Sequence, residues 1–325
     1  MADALVSPVV AGTLYACSAL ATGYSLKKVK MENQSYTIPL MGVMGAFVFA
    51  TQMINFTIPG TGSSGHLCGS MLLSAVLGPY AGFLTMVAIL AIQCLLFADG
   101  GLLALGCNIW NMGFYGCFVG GLIIWNAFAR GGLTKGRITA ASIIGCVVSL
   151  LLGAFSVTVE TLASGITELP FVTFLGFMMP IHLVIGLVEG IITTAVLLFI
   201  FEARPQLLYG YENREDAKLK ASTVVGIIAA CALVIGGLMS LMASSHPDGL
   251  EWSIFKVTGA DELEATGDAH AWAAQVQEQT ALLPDYAISG SECFWGTSFS
   301  GIVGSLVVLA ICVVIALIIR KSRHA

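Results

Sequence analysis

Long apolar runs, separated by short polar or glycine-rich breaks, set the layout of this chain. A helix that crosses a bilayer needs about 20 apolar residues. Runs of that kind are read at 4–26, 37–56, 65–79, 81–98, 102–127, 138–160, 173–202, 221–243 and 300–319. The third is too short to cross comfortably and reads as a partial or tilted helix. Basic residues follow four of the runs. Lys27, Lys28 and Lys30 follow the first, and Arg130, Lys135 and Arg137 the fifth. Arg204, Arg214, Lys218 and Lys220 follow the seventh, and Arg320, Lys321 and Arg323 the ninth. The positive-inside rule assigns all four clusters to the cytoplasm. An odd number of spans must then precede each, so the third run has to count as a crossing. The expectation is an all-α integral membrane protein of about nine transmembrane helices, with its N-terminus outside and its C-terminus cytoplasmic. The first run reads as a span and not a signal peptide, because its positive charges lie after it.

Residues 206–220 are polar and form a cytoplasmic linker. They divide a seven-helix domain, 1–205, from a two-helix hairpin, 221–325. The hairpin carries the one large outer loop, 244–299, with nine acidic residues against a single Lys256. Composition fits this division. The chain has 325 residues, 57% hydrophobic and 10% charged, where soluble domains carry about 25% charged. Soluble, collagen-like and disordered classes are excluded, and a net charge of −5 argues against nucleic acid. Nine cysteines fall mostly inside apolar runs without a CxxC. They read as small buried hydrophobes and not as a disulfide or zinc framework. No GxxxxGK[ST] or HExxH occurs, so the chain is neither its own ATPase nor a zincin protease.

Three stretches carry candidate chemistry. Residues 52–69 form a Gly/Ser/Thr-rich break, from Gln52 through Ser64 to His66, at the outer mouth of the bundle. Irregular backbone at membrane depth has to be buried in protein or line a cavity. His66 is either an interfacial hydrogen-bonding group or a metal ligand. Asn108 and Asn111, three apart, share a helix face and serve as interhelical glue or as part of a site. His182 and Glu189, seven apart in the seventh span, lie nearly on one face. An intramembrane carboxylate is structural or functional. Glu160 ends the sixth span as a candidate rim residue. Gly116-x-x-x-Gly120 and Gly186-x-x-x-Gly190 suit close helix packing. Gly62-Ser63-Ser64-Gly65 also fits the GxSG pattern of rhomboid-like intramembrane serine proteases. That alternative pairs Ser64 with His182 as a nucleophile–base dyad.

Several separated motifs, in order, resemble one family. They are Pro39-Leu40-Met41-Gly42-Val43, Phe47 to Phe56, Ser64-Gly65-His66-Leu67, Leu77-Gly78-Pro79, Asp99 to Gly106, and Asn108-x-x-Asn111-Met112. Together they resemble the CbiM/NikM cobalt/nickel substrate-capture subunits of energy-coupling-factor transporters. His246-Pro247-Asp248-Gly249-Leu250-Glu251-Trp252 resembles the PDGLE accessory module of the same transporters, fused in cis. The resemblance implies a multi-pass protein of a prokaryotic plasma membrane that captures Ni²⁺ or Co²⁺ outside, with the fusion leaning to nickel. Two cytoplasmic ATPase subunits and a transmembrane scaffold would drive its reorientation. It implies no catalysis and no permanent cofactor; the metal is cargo.

The family's ligands are the N-terminal amine, the amide and imidazole of a histidine in second place, and the histidine of the Gly-His-Leu motif. His66 matches the last, and the amine of Met1 stands for the first. Ala2 occupies the second place. Aligning Asp3-Ala4-Leu5-Val6-Ser7-Pro8 with the family's opening expects a start two residues upstream, with a Met-His pair; otherwise Asp3 serves instead. Gln52, Ser64, Asn108, Asn111, His182 and Glu189 are expected to surround the site. The acidic loop is expected to concentrate cations without contributing to the high-affinity site, with His246 and His270 as weak binders at most.

Overall fold

The structure is a computed structural model and describes residues 1–29, 36–212, 217–260, 263–288 and 295–324. Lys30 and Arg214 of the basic clusters, and Asp261, Glu262 and Glu292 of the acidic loop, lie outside the described residues. The described residues are mostly helical. Its main elements are α1 (Pro8–Lys28), α2 (Thr37–Gln52), a hairpin of β1 (Phe56–Ile58) and β2 (Ser63–Gly65), α3 (Ser70–Leu77) and α4 (Pro79–Phe97). Then come α5 (Leu105–Ala129), α6 (Lys135–Ser164) and α7 (Phe171–Ala203). The hairpin module adds α8 (Ala221–Gly237), α9 (Gly249–Thr258), α10 (Asp268–Thr280) and α11 (Gly296–His324).

Six of the described helices, α1, α4, α5, α6, α7 and α11, are long and apolar enough to cross a membrane, and α2 and α8 are shorter apolar helices. The third expected span takes a different form. Its eight-residue α3 rises about 12 Å, well short of a hydrocarbon core of about 30 Å. Glycines set its length. Gly69 before it and Gly78 after it have φ of +77° and +82°, and Pro79 opens the next helix. The helix thus ends inside the protein, with Ser70 through Val76 all buried.

Burial follows apolarity. A helix that is apolar all round belongs in a core, and α2 is buried continuously from Leu40 to Gln52. It is enclosed by α4, α8 and α11, so the C-terminal hairpin is packed around it. Phe49, Phe83, Phe97, Met41, Met44 and Met71 fill the centre of this core. The Gly186/Gly190 pattern seats α7 on α6. A Cβ at Gly186 would stand 2.9 Å from Val147 Cα, and one at Gly190 would stand 2.7 Å from Ile143 Cα. Only hydrogen side chains allow that approach. Of the eight described cysteines, none is disulfide-bonded and all but Cys17 and Cys231 are buried, as small hydrophobes should be.

Polar groups sort to the two ends. At one end Lys135 pairs with Glu202, the Arg204 guanidinium lies over the Tyr36 ring, and Trp125 Nε1 donates to the Tyr209 carbonyl. The β-hairpin, the N-terminal segment, the 244–260 stretch and α10 meet at the other.

Candidate metal centre

The loop that carries His66 is shaped by glycine and held by buried side chains. β1 and β2 pair antiparallel with Thr57 opposite Ser64. Gly60 and Gly62 turn the chain between them with φ of +79° and +77°. His66 follows β2, and the loop closes on Gly69. The buried carboxylate of Glu189 accepts both following amides, Gly69 N at 2.9 Å and Cys68 N at 3.0 Å. Gln52 Nε2 donates to the Cys68 carbonyl at 2.7 Å. Helices α7 and α2 thus grip the backbone just beyond His66. The imidazole stands over a cavity of about 120 Å³ lined by Met1, His66, Asn108, Asn111, His182, Glu189 and Asp248 among others. That volume admits an ion with several waters.

Tautomers follow from the partners. A carbonyl only accepts, so the His66 Nδ1 contact with Leu67 O at 3.3 Å puts the proton on Nδ1. In the neutral ring that leaves the lone pair on Nε2, which stands 4.0 Å from Asp248 Oδ2 on the cavity wall, the arrangement of a ligating histidine. His182 Nδ1 likewise donates to Met178 O at 2.8 Å. The N-terminal amine reaches the same cavity. It donates to Asn108 Oδ1 at 2.8 Å, while Asn108 Nδ2 and Gly101 N both reach the Met1 carbonyl at 3.3 and 3.2 Å. Asn111 Nδ2 donates to Glu160 Oε2 at 2.9 Å. Glu160 is therefore a buried partner, 6% exposed, and not a rim residue. The amide oxygen of Asn111, Oδ1, is buried without a hydrogen bond. Asp3 is occupied elsewhere, because its Oδ1 accepts Ala104 N at 2.8 Å and fixes the N-terminal segment to the 99–104 loop.

The cavity gathers six of the expected residues, Met1, His66, Asn108, Asn111, His182 and Glu189. Gln52 and Ser64 stand behind its wall. Ser64 is fully buried, and its hydroxyl donates to the His246 carbonyl at 2.8 Å and not to His182. The dyad of the protease alternative is not formed. Among the described residues, no three His, Cys, Asp or Glu side chains converge closely enough to hold a metal ion.

One participant was not expected. The turn His246-Pro247-Asp248 lies on β2: Ser64 N donates to Pro247 O at 2.7 Å, and Trp252 Nε1 donates to Thr61 O at 3.0 Å. Asp248, Gly249 and Leu250 then form part of the cavity wall. The C-terminal module, expected to assist without contributing to the high-affinity site, thus closes one side of the cavity. Further along, His270 is buried with Nε2 on the Val6 carbonyl at 3.0 Å, so it is tied and not a free binder. Gln277 Nε2 donates to Gly100 O at 2.9 Å. The signal for Asp248 was present in its motif, an acidic residue flanked by Pro and Gly. Its position opposite His66 depends on the pairing of Ser64 with Pro247, 183 residues apart along the chain, which no local pattern reveals.

A polytopic helical bundle with an imidazole, buried carboxylates and amides around one cavity is a membrane protein suited to hold a small cation. Residues 1–207 match the family described as the cobalt uptake substrate-specific transmembrane region, CbiM, and residues 222–321 match the PDGLE domain. The chain belongs to the CbiM family and carries a C-terminal PDGLE domain. It is 34% identical over 310 residues to the fused NikMN protein of Archaeoglobus fulgidus, covering 93% of this chain and 92% of that one. It is 30% identical over 219 residues to the fused nickel transport protein NikMN of Rhodobacter capsulatus, covering 63% of this chain and 62% of that one. Among solved structures it resembles a truncated transition metal transporter, with a TM-score of 0.54, 30% identity, and 62% of this chain and 98% of that one covered. The protein is thus a multi-pass cobalt/nickel transport protein. Its family and relatives are transporters and not enzymes, which removes the protease alternative.

Proposed function

We propose that this chain is the substrate-capture subunit of an energy-coupling-factor transporter and that it takes Ni²⁺ from outside the cell. The observation that carries this reading is the His66 imidazole at a cavity that Met1 also lines, with the Met1 amine bonded to Asn108 of the same wall. His66 and the Met1 amine are the proposed ligands. Nitrogen donors suit Ni²⁺, chosen by geometry over raw affinity. The nickel preference draws support from the fused architecture, which the nickel-named relative shares. The metal-binding end faces outward and the Lys/Arg-rich end faces the cytoplasm, as the positive-inside rule requires. Residues 1–205 form the metal-binding domain, 206–220 the linker and 221–325 the accessory module. The chain has no nucleotide motif, so energy comes from two separate ATPase subunits and a membrane scaffold.

The test is uptake of radiolabelled Ni²⁺ and Co²⁺ by cells expressing this chain with and without those subunits. Uptake that needs all of them and favours Ni²⁺ supports the reading. Uptake by this chain alone, or none with the complete set, rejects it.

A further inference from the structure

We propose that Asp248, from the C-terminal module, is itself a metal ligand, so that the module completes the site which His66 begins. The inference rests on the capture function proposed above. Its first support is a distance. His66 Nε2 and Asp248 Oδ2 are 4.0 Å apart, with side chains 35% and 30% exposed. That is too long for a hydrogen bond. Metal–nitrogen and metal–oxygen bonds of about 2.1 Å place two donors on one ion between about 2.9 Å apart at a right angle and about 4.2 Å in line. The observed separation falls inside that range, at an angle of about 145°, so a small shift of either side chain makes the two a trans pair.

The second support is how the two oxygens of Asp248 are used. Oδ1 caps α9, accepting Leu250 N at 2.8 Å and Glu251 N at 2.9 Å, while Glu251 returns a bond to Asp248 N. This capping box fixes the side-chain rotamer. Oδ2 makes no hydrogen bond among the described residues and faces the imidazole lone pair. Two acceptors aimed at each other are unfavourable unless a cation or proton lies between them, and a divalent ion matches the chemistry of both.

The third support is rigidity. Ser64, two residues before His66, donates its amide to Pro247, next to Asp248. Its hydroxyl donates to His246. Trp252 is tied to Thr61 and stacks edge-on to Phe177 at 5.7 Å. The carboxylate is therefore held in place before metal arrives, which lowers the ordering cost of binding. A carboxylate also brings a negative charge, so the completed site selects cations over neutral ligands. The module's role in this account is to supply one donor atom directly, and not only to concentrate cations nearby.

Asp248→Asn is a narrow test. Asn caps helices as well as Asp, so Oδ1 can keep its two bonds while Oδ2 is replaced by an NH₂ with no lone pair to give. Ni²⁺ alone is titrated into the purified full chain, the Asp248→Asn variant and the His66→Ala variant. The d–d spectrum and the metal-free unfolding temperature are recorded for each. The expected result for Asp248→Asn is Ni²⁺ binding weakened by about 10- to 100-fold, as metal-site losses typically give. A changed d–d spectrum and an unchanged metal-free unfolding temperature should accompany it. Affinity within threefold of wild type, or tighter, overturns the proposal. So does weaker binding with an unchanged spectrum, which marks a purely structural role. If Asp248→Asn binds normally while His66→Ala does not, only this inference fails. If the unmodified chain binds no Ni²⁺, the capture function fails with it.

Discussion

Replacing Glu189 tests whether the buried clamp under the His66 loop sets metal affinity. Both carboxylate oxygens accept backbone amides, of Cys68 and Gly69, and the residue is 2% exposed. A buried N–H left without a partner costs about 1–3 kcal/mol. Glu189→Gln keeps one acceptor and turns a donor toward the other amide, so it orphans one N–H, a loss of about 1–3 kcal/mol. Glu189→Leu orphans both, about 2–6 kcal/mol. Once the loop loosens, metal has to order it again, and that cost comes off binding. At about 1.4 kcal/mol per tenfold, Glu189→Gln should weaken Ni²⁺ binding by up to about 5- to 150-fold, with Glu189→Leu weaker still. The assay is equilibrium binding of radiolabelled Ni²⁺ to purified protein, alongside thermal unfolding in the same detergent. A Glu189→Leu protein that stays folded and binds with wild-type affinity would show that the clamp does not position His66.

Two further predictions rest on separate contacts. Gly190→Ala places a Cβ within 2.7 Å of Ile143 Cα and should lower stability by about 1–3 kcal/mol through overpacking. Its unfolding temperature should fall while Ni²⁺ affinity stays within threefold; an unchanged temperature would mean that α6 and α7 are not packed this closely. Asn108→Ala removes the acceptor of the Met1 amine and should weaken Ni²⁺ binding by about tenfold. Wild-type affinity in that variant would mean the amine's position in the cavity is irrelevant to binding.

Much of this arrangement was legible in the sequence because membranes impose strong local rules. Apolar length placed the helices, and the Gly/Ser/Thr-rich break located the loop carrying His66. The spacing of His182 and Glu189 put both on the cavity side of α7. What stayed hidden was tertiary. The run at 65–79 is apolar enough to suggest a span, but Gly69 and Gly78 take positive φ and cut it to a buried half-helix. Glu160 sits at a helix end, where exposure is the default, yet Asn111 draws it inside. Asp248 belongs to a polar loop that reads as solvated. Only the docking of its turn on Ser64 brings it opposite His66.

The central claim is that His66 binds the transported metal in the cavity. Its most direct measurement is equilibrium binding of radiolabelled Ni²⁺ to the purified full chain and to His66→Ala, with folding checked by thermal unfolding. The expected result is one Ni²⁺ per unmodified chain and no measurable high-affinity binding in a folded His66→Ala protein. A folded His66→Ala protein that binds one Ni²⁺ with unchanged affinity would contradict it.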